Sequence, residues 1–113
     1  MCDEQELKTI LDRVTHHSQR EFGENLKDVI LYGSYARGDQ QEDSDIDIMV
    51  IVDDSPERLR RARWSFGELT SDIDLEYGIC VSPVLESAET FEYWKEALPF
   101  FKNVNSEGVR LYA

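Results

Sequence analysis

With 113 residues, 41% of them hydrophobic and 11% aromatic, the chain has room and material for one small domain over residues 1–113. Twelve basic residues against twenty-four acidic ones leave a net charge of −12. That balance repels long polyanions and excludes broad, non-specific DNA or RNA binding, while a small phosphorylated ligand stays within reach through a divalent cation.

The opening residues, Met1 to Glu6, are acidic rather than basic-then-apolar, so they read as the start of a cytoplasmic protein, not a secretory signal. Leu7, Ile10, Leu11, Val14 and Phe22 follow helical spacing and predict an amphipathic helix from Asp3 to about Phe22, ended by Gly23. His16 and His17 lie on this helix and read as surface residues. Val29 to Tyr32 is a short apolar run that predicts a buried strand stopping at Gly33. A turn and short helix follow over Ser34 to Gly38, then a polar loop to Ser44. Asp45 to Val52 is the clearest strand, alternating at first and then apolar throughout, as a central strand is. Its run Ile48 to Val52 is also the longest apolar stretch, far short of the ~20 residues that cross a membrane.

Ser55 and Pro56 predict a helix start, with Leu59, Ala62, Phe66, Leu69 and Ile73 on its apolar face. Arg58, Arg60, Arg61 and Arg63 form the basic cluster of this helix; they read as a solvated face, with a partner or nucleotide contact as the alternative. Ile79 to Leu85 predicts a third, buried strand, placed near an edge by Pro83. Ser87 to about Leu98 predicts another helix, stopped by Pro99. The tail from Phe100 to Ala113 is expected to pack on the sheet. Cys2 and Cys80 read as reduced thiols, with no CxxC pair and no zinc spacing around them. The sum is an α/β (α+β) fold, a small mixed sheet flanked by helices.

Two features about ten residues apart carry chemistry. Gly33-Ser34 ends a strand and opens a helix, a place where a backbone can approach a phosphate closely. Asp45 and Asp47, at i and i+2 of the next strand, point to the same face. Two such carboxylates repel each other unless a cation lies between them, and hard oxygen ligands suit Mg2+ or Mn2+. Either feature alone is unremarkable: Gly-Ser is a common turn, and Asp-x-Asp in an acidic chain is a solvated strand end. A calcium loop from Asp43 is rejected, because Ile48 stands where that loop needs glycine. No Gly-Lys-Ser/Thr phosphate loop occurs.

Together, Gly33-Ser34-Tyr35-Ala36-Arg37-Gly38 and Asp43-Ser44-Asp45-Ile46-Asp47 resemble the signature of the DNA polymerase β-type nucleotidyltransferase superfamily, and within it the minimal nucleotidyltransferases. The likeness continues through Leu75 to Pro83 and Pro99 to Val104. The resemblance implies a polymerase β-like core in which Gly33 and Ser34 hold a triphosphate, with ATP the favoured donor. Asp45 and Asp47 would hold Mg2+ or Mn2+. Arg37 would either touch phosphate or brace the loop by pairing with a nearby aspartate. The superfamily's third carboxylate, a shared metal ligand and general base on a neighbouring strand, has no obvious counterpart here, since Cys80 and Ser82 stand where an acid is expected. Glu76 is the first candidate, followed by Asp74 and Asp72. The resemblance further implies a helical partner of the HEPN type, with this chain as an antitoxin that adenylylates a tyrosine of the toxin. A catalytically weak or inactive antitoxin acting by docking alone is the alternative. An antibiotic-modifying dimer is a third reading, disfavoured by the lack of a substrate domain; a homo-oligomer stays open.

Overall fold

A computed structural model describes residues 3–112; Cys2 lies outside them. Helix α1 (Glu4–Phe22) starts where Asp3 accepts from Glu6 N–H while the Glu6 side chain accepts from Asp3 N–H, a reciprocal cap of the kind that contributes about 1 kcal/mol. After a tight turn at Gly23, strand β1 (Leu26–Tyr32) leads through Gly33 into the single-turn helix α2 (Ser34–Arg37). Strand β2 (Ile46–Val52) and helix α3 (Pro56–Tyr77) follow, the helix capped by the Ser55 hydroxyl accepting from Arg58 N–H and carrying Pro56 in its first turn. Strand β3 (Val81–Ser87), helices α4 (Ala88–Trp94) and α5 (Pro99–Glu107), and strand β4 (Val109–Tyr112) complete the chain.

The four strands order as β3-β2-β1-β4. The β1–β2 and β1–β4 pairs are antiparallel, while α3 crosses over to make β2–β3 parallel. Strand β2 is central and covered on both faces. Ile46, Ile48, Val50 and Val52 face α1 and α3, packing with Ile10, Val14, Phe66 and Ile73. Met49 and Ile51, on the opposite face, pack with Ile30, Phe91 of α4 and Val104 of α5. Period-two alternation therefore sorts one apolar strand into two cores, and burying each such side chain contributes roughly 1.5–3 kcal/mol.

The elements agree with the sequence expectation up to residue 77, with β1 beginning earlier, at Leu26. Pro83 does sit on an edge strand. The later part departs from it. The third strand runs Val81–Ser87 rather than from Ile79, so Cys80 precedes the strand and is exposed instead of buried within it. The tail forms α5 and β4: Pro99 starts the helix, Phe101 and Val104 anchor it, and Gly108 ends it. His17 is half-buried rather than a surface residue, within hydrogen-bond distance of the Ser65 hydroxyl (3.1 Å) and edge-on to Phe66.

Strand β4 is held by two devices. Arg110 donates to the buried carboxylate of Asp28 on β1, whose other oxygen has no partner among the described residues. Gly108 passes so near β1 and α5 that a Cβ there would overlap Ile30 Cγ2 and the Val104 carbonyl oxygen. Gly108→Ala is accordingly expected to cost about 1–3 kcal/mol in urea unfolding, the range of an overpacked core.

Candidate functional site

The signature residues meet at one end of the sheet. Strand register sets Tyr32 of β1 opposite Asp47 of β2, and Asp47 in turn beside Ser82 of β3. Gly33 follows Tyr32 directly and turns the chain with φ 76° and ψ −156°, a conformation that side chains with a Cβ rarely adopt. A Cβ on Gly33 would overlap Asp47 Oδ2 and lie 3.3 Å from Asp47 Cγ. Glycine is needed here twice, for the turn and for the approach of the Asp47 carboxylate to the backbone. Ser34 then opens α2, which closes on Gly38 in the left-handed region.

Asp45 immediately precedes β2 and is exposed; its Oδ2 accepts a long hydrogen bond from the Ser82 hydroxyl at 3.4 Å. Asp47 is half-buried. Burial pushes the Asp47 carboxyl above its ordinary range, the Asp45 charge adds to the rise, and Arg37 opposes it. The Tyr32 phenol is pushed up to about 12 by burial and then by Asp47. The Cys80 thiol is raised by its partial burial and by Asp45. Burial leads each of these three shifts, and the Asp45 and Asp47 charges add to them, a partly desolvated and negatively charged setting that suits a divalent cation. Two carboxylates match the usual protein share of a Mg2+ shell, whose other positions go to water and phosphate oxygens.

Arg37 is engaged in bracing: Nε pairs with Asp39 at 3.2 Å and Nη1 with Glu107 of α5 at 3.6 Å, tying the loop after α2 to the last turn of α5. The candidate third carboxylates do not join the pair. Glu76 pairs with Arg13 of α1 at 3.2 Å, and Asp72 borders a groove between α1 and α3. Asp74 lies near enough to raise Cys80. Among the described residues no group of three Asp, Glu, His or Cys side chains is spaced to hold a metal ion.

Phe100 and Asn103 of α5 were not singled out from the sequence as site residues, yet they line a cavity of about 170 Å3 with Tyr32, Gly33, Arg37 and Glu107. Phe100 is half-exposed and packs edge-on against Tyr32 at 5.6 Å. A larger cavity of about 470 Å3 lies at the far end of the sheet, away from the signature residues, and part of its charge pairs as Arg110–Asp28 and Lys95–Glu92. Chemistry, not cavity size, locates the site. No helix among the described residues is long and apolar enough to cross a membrane.

A family model described as a nucleotidyltransferase domain matches residues 7–103. A Methanocaldococcus jannaschii relative assigned by name as a protein adenylyltransferase is 37% identical over 83 residues, 74% of this chain and 56% of its own. The chain therefore spans little more than half the length of that relative. The protein adenylyltransferase MntA of Thermococcus cleftensis is 31% identical over 84 residues, covering 74% of this chain and 78% of that one. Among solved structures, a toxin–antitoxin crystal structure with AMP-PNP superposes with a TM-score of 0.59 at 25% identity, over 91% of this chain and 73% of the other.

The raised Asp47 carboxyl has a consequence for stability. For an acid whose folded pKa is raised, the stabilising contribution is present at low pH and is lost as pH rises through the folded pKa. Metal-free Asp47→Asn is therefore expected to melt at a higher temperature than wild type at pH 7, with the difference shrinking toward pH 3. Added Mg2+ should raise the wild-type melting temperature and leave the variant unchanged.

Proposed function

Because the chain belongs to the nucleotidyltransferase domain family, we propose that it transfers a nucleoside monophosphate, AMP from ATP, to a hydroxyl on a partner protein. The observation that carries this reading is the Asp45–Asp47 pair held against Gly33. It supplies carboxylates that cannot neutralise each other beside a backbone stripped of its Cβ. Gly33 and Ser34 would seat the triphosphate, the glycine by allowing close approach and the serine through its hydroxyl. Asp45 and Asp47 would hold Mg2+ or Mn2+, which supplies charge neutralisation on the phosphates during transfer. The acceptor hydroxyl would attack the α-phosphorus in line and pyrophosphate would leave. Arg37, committed to Asp39 and Glu107, would keep the loop after Ser34 in place rather than grip phosphate.

The acceptor in this reading is a second protein. A helical toxin of the HEPN type, with a tyrosine as acceptor, fits the sequence resemblance. The toxin–antitoxin structure with AMP-PNP and the relative's adenylyltransferase name support it. One observation favours a second reading. Ser82, not an acid, occupies the β3 position beside Asp47, and Glu76 is spent on Arg13, so docking alone could neutralise the partner.

Incubation of the co-purified partner with ATP and Mg2+, read by intact mass, separates the two. The transfer reading expects one or more AMP additions on a partner hydroxyl, reduced at least ~100-fold by Asp47→Asn. Unmodified partner with wild type, together with normal neutralisation by Asp47→Asn, would leave the docking reading standing.

A further inference from the structure

The outer face of α3 is built for a partner. Trp64 and Leu75 are 78% and 88% exposed, yet they lie on one stripe of the helix, eleven residues and three turns apart. Between them on that stripe stand Gly67 and Ser71, directly opposite the core residues Leu59, Ala62, Phe66 and Ile73. Gly67 is mid-helix, where glycine costs about 1 kcal/mol relative to alanine, and a Cβ there would meet nothing within 4 Å. Nothing in the monomer explains it. A glycine between two exposed apolar anchors is what a closely approaching second helix requires.

Charge identifies that helix. Arg60, Arg61 and Arg63 precede Gly67, while Glu68, Asp72 and Asp74 follow it, and none of the six forms an ion pair among the described residues. The face is therefore basic in one half and acidic in the other. Such polarity is complementary to its own reverse, and the symmetry of an isologous pair demands just that reversal.

We propose that α3 is a homodimer interface, packing antiparallel on the α3 of a second copy across a two-fold axis at Gly67. With the axis there, residues whose numbers sum to about 134 face each other. Arg60 meets Asp74 of the second copy and Arg61 meets Asp72, on opposite flanks of the seam. Trp64 lies over Ser71, and Leu75 over the Arg60 stem. A single helix pair covers less than the ~800 Å2 per partner of a standard interface, and the net charge of both copies opposes approach, so the dimer is a weak one. The interface lies on the outer face of the helix layer, across the sheet from α5 and the Phe100 cavity, so it leaves the nucleotide end open.

Sedimentation equilibrium of the full chain at ~0.15 M salt, from ~5 to ~500 μM, tests this, with a dissociation constant of about 10–100 μM expected. Gly67→Glu meets only open space in the monomer and should weaken association at least ~10-fold with an unchanged circular dichroism spectrum. Asp74→Arg should weaken it similarly, and adding Arg60→Glu to that variant should restore it to within about three-fold, which a merely structural loss would not allow. In a Cys2→Ser, Cys80→Ser background, Gly67→Cys should form an intermolecular disulfide on mild oxidation. A chain that stays monomeric throughout, or a dimer indifferent to Gly67→Glu and to the charge exchange, overturns the proposal; in the first case the face belongs to a different protein.

Discussion

The Asp47 carboxylate occupies space that exists only because residue 33 has no side chain. Everything else at the site follows from keeping that close approach while Asp45 stands on the same face two residues earlier. The β1–β2 register must set Tyr32 against Asp47, since a shift by one residue would turn both carboxylates toward α1 and α3. The two apolar cores enforce that register. Ile46, Ile48, Val50 and Val52 fit one side of the sheet, Met49 and Ile51 the other, so a slipped strand would turn the acids into the α1–α3 core and take Ile46 out of it. The raised Asp47 carboxyl is the cost of this arrangement, set first by burial and then by the Asp45 charge, and Arg37 opposes it.

Arg37 shows how that cost is managed. A guanidinium aimed at the carboxylate pair would neutralise it and remove its affinity for a cation. Its pairs with Asp39 and Glu107 keep its charge to one side, where it offsets only part of the Asp47 shift and joins the signature loop to α5. Helix α5 thereby becomes part of the site, bringing Phe100 and Asn103 to the cavity beside Gly33. The same helix ends at Gly108, whose close contact with Ile30 seats β4 on β1. Tail, loop and signature form one unit.

The first two thirds of this architecture is legible in the sequence because its signals are local. Asp3 with Glu6, Ser55 with Pro56, and the uninterrupted Ile46–Val52 run each specify an element without distant help. The signature likewise joins two adjacent strands across one short loop. The rest depends on contacts that spacing does not encode. Helix α5 has two interior anchors, Phe101 and Val104, set among asparagines that read as loop, and only Pro99 and Gly108 mark its ends. Strand β4 is four residues of an edge whose partner lies some eighty positions earlier. Cys80 looked buried between Ile79 and Val81, but the chain is still leaving the Gly78 turn there. The pairing of Glu76 with Arg13 likewise depends on the way α1 lies along α3, which spacing does not encode.

In the proposed transfer, Asp45 and Asp47 would share one divalent cation at the Gly33 turn. Crystals grown with Mn2+ and a non-hydrolysable ATP analogue, measured at the manganese absorption edge, test it directly. An anomalous peak at about 2.1 Å from oxygens of both carboxylates is expected, with analogue phosphate oxygens completing its shell. Nucleotide bound at Gly33 with no such peak, or manganese held only by carboxylates elsewhere, would contradict it.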